Sequence, residues 1–416
     1  SVSTYPDSSS SKIFLQNLSR NDDKNKPGRY SLKSLNDGEI KSRQPSFNGR
    51  QTIIRLDDGV HLIKLNGSKD EVAAFVNLNG NNTGKNDTFG IVKEANVNLD
   101  ADEWKKVLLP WTVRGPDNDN KFKSINQKPE KYSQRYRIRD NNGNRDLGDI
   151  VNSPIVAVGG YLATAANDGM VHIFKKTGTD ERGYELKLSY IPGTMPRQYF
   201  DNDTSALKDS TLAQELRTFA EKGYVGDRYG VDGGFVLRRI TDDQDKQKHF
   251  FMFGAMGLGG RGAYALDLSK INGNYPAAAP LFDVKDGDNN GKNRVEVKLG
   301  YTVGTPQIGK TQNGTYSAFL ASGYAAKKID DSTNKTALYV YDLKDTLGTP
   351  IAKIEAPGGK GGLSSPTLVD KDLDGTVDIA YAGDRGGNMY RFDLSNSDPN
   401  KWSAKAIFEG TKPITS

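Results

Sequence analysis

The stretch Ser364-Ser365-Pro366-Thr367-Leu368-Val369, then Asp370-Lys371-Asp372-Leu373-Asp374-Gly375-Thr376-Val377-Asp378, Ile379-Ala380-Tyr381-Ala382-Gly383 and Met389-Tyr390-Arg391-Phe392-Asp393-Leu394, decides the fold. It reads as strand, acidic loop, strand, Gly-containing turn (Asp384 to Asn388) and strand. Its parts recur upstream in the same order. The Pro-opened strand returns as Asn152-Ser153-Pro154-Ile155-Val156 and as Gly304-Thr305-Pro306-Gln307-Ile308, and starts again at Lys412-Pro413-Ile414-Thr415. Pro is tolerated as the first residue of a strand, where its missing N–H costs no ladder bond. The strand ending in an acidic residue and Leu returns as Ala263-Tyr264-Ala265-Leu266-Asp267-Leu268 and Leu338-Tyr339-Val340-Tyr341-Asp342-Leu343, with Met170-Val171-His172-Ile173-Phe174-Lys175 as a variant.

Apolar strands such as Gly160 to Ala165, Phe250 to Gly254 and Tyr316 to Ala321 lie between the two halves. No helix is expected from Leu147 to Phe392, so a parallel α/β sheet is excluded. Antiparallel strand repeats at intervals of roughly 45 to 80 residues, made irregular by insertions, read as propeller blades. Four are expected, at about 148–200, 228–270, 298–345 and 361–395. The competing architecture is a β-sandwich, which does not by itself produce a recurring strand–turn–strand order. The predicted fold is therefore all-β: a modified β-propeller with irregular insertions and a calcium loop in one blade.

Residues 1–143 are polar and irregular. Their apolar islands, Thr52 to Leu56, Val60 to Leu65, Glu71 to Leu78 and Trp104 to Val113, read as strands of a partial blade or of a small subdomain, the last as a short helix or turn running into a strand with Trp104, Leu108, Leu109 and Trp111 as anchors. The blades occupy 144–416, and the restart at Lys412 leads one to expect that they continue beyond Ser416.

The Asp370–Asp378 loop carries the strongest chemical signal. Carboxylates stand at positions 1, 3, 5 and 9, with Gly375 at 6 and the Thr376 carbonyl expected as a ligand from position 7. That is the hard-oxygen spacing of a calcium loop. Four carboxylates in one small loop repel each other unless a cation compensates them. The expected metal ligands are Asp370, Asp372, Asp374, Thr376 and Asp378, and the expected ion is Ca2+. Magnesium, which demands a small octahedral shell, fits less well. Tyr381 at position 12 and the strand flanks exclude an EF-hand. Asp286 to Gly291 with Glu296, and Asp201 to Asp209, are weaker candidates for a second ion, and Asp140 to Asn144 reads as a turn.

The composition excludes several classes. With no Cys there is no disulfide, zinc thiolate or thiol catalysis. A net charge of +5 over 416 residues is too weak to argue for nucleic acid. No apolar run is long enough to span a membrane. His61, His172 and His249 do not stand at metal-ligand spacing, and His172 reads as a core or interface residue. Gly257 to Gly262 lies between strands and reads as a turn rather than a nucleotide loop. No nucleophile elbow or Walker A motif occurs in the right context, so no enzyme is expected and no catalytic residue is assigned.

The stretch from Gly361 through the calcium loop to Leu394 resembles the PilC/PilY family of type IV pilus tip-associated biogenesis factors and adhesins. Gly148-Asp149-Ile150-Val151-Asn152-Ser153-Pro154, Ala166 to His172, Gly257 to Asp267, Gly300 to Pro306 and Gly323-Tyr324 follow the family's order. The Asn/Lys-rich amino-terminal part looks like the neisserial PilC branch. The resemblance implies the carboxy-terminal propeller domain of a secreted, outer-membrane-associated or pilus-associated (fimbrial) protein. It also implies pilus subunits or pilus machinery as partners and calcium-dependent control of pilus assembly and retraction. The alternative is an adhesin for a host receptor or glycan, and a quinone-type propeller dehydrogenase stands further off.

Overall fold

In the computed structural model, the residues described are 19–20, 30–31, 36, 39, 50–57, 59–66, 71–77, 86–91, 99–107, 127–131, 134, 154–166, 169–178, 183–193, 197–201, 206–216, 231–271, 278–287, 295–324, 335–359 and 361–410. The expected turn at Asp140 to Asn144 and the restart at Lys412 lie outside them.

Strands β1 (Ser19–Arg20) and β2 (Tyr30–Ser31) form a short antiparallel ribbon. Strands β3 (Gln51–Leu56), β4 (Gly59–Asn66) and β5 (Glu71–Asn77) form an antiparallel meander. A second meander, blade 1, comprises β6 (Val156–Val158), β7 (Tyr161–Ala165), β8 (Val171–Lys176) and β9 (Tyr184–Ile191). Strand β3 runs parallel to β9, with Gln51 opposite Leu188 and Ile54 opposite Ile191. That pairing fuses the two meanders into one seven-stranded sheet of order β5-β4-β3-β9-β8-β7-β6. A hairpin follows, β10 (Arg197–Asp201) with β11 (Ala206–Ser210). Three four-stranded meanders complete the described chain. Blade 2 is β12 (Phe235–Thr241), β13 (Gln247–Ala255), β14 (Gly262–Asp267) and β15 (Pro280–Lys285). Blade 3 is β16 (Gln307–Lys310), β17 (Tyr316–Ala321), β18 (Ala337–Asp342) and β19 (Pro350–Glu355). Blade 4 is β20 (Leu363–Val369), β21 (Ile379–Asp384), β22 (Met389–Asp393) and β23 (Ser403–Phe408).

The middle strands of blades 2 and 3 are apolar almost throughout because those two sheets are packed on both faces. Successive side chains of a strand point to opposite faces. In β18, Ala337, Tyr339 and Tyr341 pack toward blade 2, while Leu338 and Val340 pack toward blade 4. In β13, Phe250 and Met252 join blade 1 in one core, while Phe251, Phe253 and Ala255 join blade 3 in the next. Phe253, Phe282 and Tyr341 close the seam between blades 2 and 3, with ring centroids 6.0–6.4 Å apart. Burying a ring of this size stabilises by about 1.5–3 kcal/mol. The seam between blades 1 and 2 has an edge-on pair, Tyr161 and Phe250, at 4.9 Å.

Three sequence expectations need correction. The blades extend past the acidic-Leu strand to a fourth strand each, β15, β19 and β23, and the described blades span 156–191, 235–285, 307–355 and 363–408. The outer strands follow insertions and carry a weaker pattern, as in Ser403–Phe408, most of whose residues are exposed. Second, Pro366 does not open its strand. It sits inside β20, at the register break between Ser364 and Thr367, next to Ser365 with φ 42°. A bulge leaves a residue without a ladder bond, so the missing N–H costs nothing there either. Third, a helical turn does intervene at 212–216. Its signal is a capping box: the Gln214 N–H donates to Thr211 Oγ1 and the Thr211 N–H donates to Gln214 Oε1. Leu212 and Leu216 from this turn are fully buried. Upstream, the island at Trp104 opens, as expected, with a short helix, Trp104–Val107, with Trp104 stacked on Phe89.

Candidate metal centre

The acidic loop closes the β20–β21 hairpin, whose last pair before the loop is Val369 with Ile379. The chain turns back through two left-handed positions, Leu373 at φ 58° and Gly375 at φ 88°. Open space surrounds Gly375, so it is there for its backbone freedom and not for a close approach.

The carboxylates organise the loop from within. Asp370 accepts the N–H of Asp374 on Oδ1 at 3.2 Å and that of Gly375 on Oδ2 at 2.7 Å. Asp374 Oδ1 accepts both the N–H and the hydroxyl of Thr376, at 2.9 and 2.6 Å. Asp378 Oδ2 accepts the Lys371 N–H at 2.7 Å. One ligand oxygen from each of Asp370, Asp372, Asp374 and Asp378 lies within 4.8 Å of every other. Two calcium ligands on opposite sides of an ion at about 2.3–2.6 Å are about 4.6–5.2 Å apart. The four oxygens therefore fit one calcium shell. Among the described residues no Lys or Arg forms an ion pair with any of the four. The crowding shows in opposite shifts. Desolvation, followed by the neighbouring carboxyls of Asp370, Asp374 and Asp378, pushes Asp372 up. The hydroxyl and N–H of Thr376 pull Asp374 down.

A contact from the preceding blade, absent from the sequence expectations, reaches this loop. Gln312, in the turn between β16 and β17, donates Nε2 to Asp378 Oδ1 at 2.7 Å and to the Val377 carbonyl at 3.2 Å. No spacing rule points to it, because it lies 66 residues before Asp378.

The weaker acidic candidates are arranged differently. The Asp286 carboxylate accepts from Arg261 at 2.6 Å and from the Leu299 N–H at 2.6 Å. Glu296 pairs with Lys298 at 3.1 Å, and residues 288–294 lie outside the described set. Asp201 pairs with Ala206 and Asp209 with Gln198 in the β10–β11 hairpin, with 202–205 outside the described residues. His172 is fully buried, its Nδ1 2.8 Å from Ser189 Oγ. Gly257 to Gly262 connects β13 to β14, and the Gly257 N–H donates to the Thr302 carbonyl of the segment that leads into blade 3. No helix among the described residues is long and apolar enough to cross a membrane.

The family model of the PilY1 β-propeller domain matches residues 147–416, more than half of the chain. The chain is 30% identical over 340 residues to the type IV pilus biogenesis factor PilY1 of Pseudomonas aeruginosa (strain UCBPP-PA14), covering 70% of this chain and 25% of that protein. It is 28% identical over 255 residues to a PilY1 homolog of Xylella fastidiosa, covering 58% of this chain and 14% of that protein. The chain thus spans about a quarter or less of the relatives it matches. The crystal structure of the P. aeruginosa PilY1 C-terminal domain is 24% identical and covers 62% of this chain and 46% of that one, at a TM-score of 0.38.

Proposed function

We propose that this chain, which belongs to the PilY1 β-propeller family, is a calcium-binding module whose ion occupancy regulates the assembly and retraction of a type IV pilus. Membership of a family of type IV pilus biogenesis factors supports the pilus. The gathering of four aspartate oxygens within 4.8 Å, with no cationic side chain among the described residues to neutralise them, supports the ion. The ligands are Asp370, Asp372, Asp374, Asp378 and the Thr376 carbonyl. Bound calcium supplies the positive charge this cluster lacks and holds the β20–β21 hairpin closed. The role is non-enzymatic, the partners are pilus subunits or pilus machinery, and the location is the pilus or the outer cell surface. Residues 144–416 are the propeller unit, and residues 1–143 extend it through β3–β5.

Calcium titrated into the protein by calorimetry is expected to saturate one site, and Asp374→Ala to abolish that binding. A flat wild-type titration defeats the ion. In cells, Asp374→Ala in the native protein is expected to change the number of surface pili at unchanged expression. Wild-type piliation and retraction in that strain would defeat the regulatory role.

A further inference from the structure

The carboxylates of Asp370 and Asp374 are held by N–H groups of the loop itself, and Asp378 differs. Asp378 Oδ2 takes the Lys371 N–H, but its Oδ1 is held from outside by Gln312. Asp378 is also the most buried of the four, at 8% exposure. Both atoms that face the Gln312 amide, a carboxylate oxygen and a carbonyl oxygen, are acceptors. The NH2 end of the amide must therefore point at them. The two bonds at 2.7 and 3.2 Å fix the plane of the amide, and with it the plane of the Asp378 carboxylate.

Blade 3 presents Gln312 on a stiff turn. The Thr311 N–H donates to the Thr315 carbonyl at 2.8 Å and the Gly314 N–H to the Thr311 carbonyl at 2.9 Å. The Thr311 hydroxyl and the Thr315 N–H both donate to Asn313 Oδ1. The exit leg of the loop lies on the same surface. The Val377 N–H donates to the Lys310 carbonyl at 2.8 Å. Val377 Cγ2 occupies the space a Cβ on Gly309 would need, 2.6 Å away, so only glycine admits the leg at this depth. Three groups close together in blade 3, at Gly309, Lys310 and Gln312, thus grip Val377 and Asp378 of blade 4.

We propose that Gln312 is the positioning residue through which blade 3 sets the ion affinity of the blade 4 loop, so that ion binding and closure of the seam between these blades are one linked equilibrium. This rests on the reading of the loop as a calcium site. A residue that orients a ligand by hydrogen bonding typically alters metal affinity by about 10–100-fold when it is replaced. Linkage makes the effect reciprocal: if the closed seam favours the ion, the ion favours the closed seam to the same degree. A force that parts blades 3 and 4 would then lower calcium affinity.

The test uses Gln312→Met, which keeps the length of the side chain and removes its donor, and Gln312→Glu, which puts a carboxylate against Asp378. Calcium affinity is read by calorimetry, melting temperature with calcium and with chelator, and amide hydrogen exchange on the wild type. Gln312→Met is expected to bind calcium about 10–100-fold more weakly, while its melting temperature in chelator stays within about a degree of wild type. Gln312→Glu is expected to lose less affinity when calcium is present to bridge the two carboxylates than its instability in chelator would suggest. In the wild type, calcium is expected to slow exchange at 309–315 in blade 3 as well as in the loop. Unchanged affinity in Gln312→Met, an equal drop of melting temperature with and without calcium, or protection confined to 370–378 would each overturn the role of Gln312 while leaving the calcium site standing. No calcium binding by the wild type would overturn both. The exchange experiment needs no variant, so it decides even if both substitutions prevent folding.

Discussion

Two seams of this propeller use aspartate in opposite ways. Between blades 1 and 2, Asp283 of β15 is nearly buried, and the chain provides everything its charge requires. Tyr190 Oη donates to its Oδ1 at 2.9 Å, the Gly193 N–H to its Oδ2 at 2.8 Å, and Arg55 Nε lies 3.4 Å from Oδ2. Arg55 comes from β3 and also donates to the Tyr190 hydroxyl at 3.1 Å. At the seam between blades 3 and 4, four aspartates gather with N–H and amide donors and, among the described residues, no Lys or Arg ion-pair partner. The first seam has its counter-charge built in. Under the proposed calcium binding, the second takes its counter-charge from an ion, and its strength would follow the surroundings. The proposal thus gives one fold a permanent joint and a conditional one.

The largest expected effect is at the permanent joint. Asp283→Ala leaves Arg55 without its carboxylate, and removing one partner of a buried pair costs about 3–5 kcal/mol. Urea denaturation should show this loss equally with and without calcium. A loss that depended on calcium would erase the distinction between the seams. Burial, the largest influence, pushes the Asp283 carboxyl up, against the opposing pull of Arg55 and its hydrogen-bond donors. A raised carboxyl contributes stability that is fully present below its unfolded value of 3.8 and is lost as pH rises through the folded value. The acid limb of a stability profile should therefore be flattened by this residue rather than steepened.

Next comes calcium removal. At free calcium one hundred times its dissociation constant, binding to the folded state alone adds about 2.7 kcal/mol. Chelator should remove that amount from the wild type and nothing from Asp374→Ala, as read by melting temperature. A wild type insensitive to chelator would make the second seam as permanent as the first.

Two glycines then separate packing from backbone freedom at the conditional seam. Gly304→Ala places a methyl 2.3 Å from Ser365 Oγ at φ 90°, between blades 3 and 4, and should cost about 1–3 kcal/mol or more. Gly375→Ala meets open space at φ 88° and should cost only about 1 kcal/mol, with a further loss of calcium affinity. Equal costs in chelator would mean that the seam is looser than its contacts indicate.

The smallest effect concerns Asp267, a carboxylate inside blade 2. Burial raises its carboxyl, but the hydroxyl and N–H of Ser269, His249 and the Phe250 N–H together bring it below its ordinary value. A lowered carboxyl stabilises above the unfolded value of 3.8 and loses that contribution as pH falls through the folded one. Asp267→Asn should therefore make unfolding less dependent on pH in that acidic range. An unchanged acid limb would remove Asp267 from the account.

Much of the blade order was legible because propeller strands are short, apolar and punctuated by glycine turns. Leu338–Tyr339–Val340–Tyr341 serves two neighbouring cores at once, and that demand leaves a continuous apolar run in the sequence. The outer strands escaped because Ser403–Phe408 packs on one side only and lies after an insertion. The helical turn at 212–216 escaped although Thr211 and Gln214 announce it, since one capping box is a faint signal among so many polar residues. The gathering of Asp370, Asp372, Asp374 and Asp378 was legible because its geometry is local: nearby residues of a curling loop converge on one point whatever surrounds them.

What the sequence determined by itself was therefore the strand order of the repeats and the donor types and spacing of the acidic loop. Tertiary structure alone decided which strands complete each sheet, that β3 runs parallel to β9, and which residues meet at the seams. Arg55 reaches Asp283 across 228 positions, and Gln312 reaches Asp378 across 66. A contact within a loop is constrained by bond lengths and torsions over a few residues and so leaves a periodic trace. A contact between blades depends on where two sheets come to rest, and one Arg or one Gln in a strand or turn carries no sign of its partner.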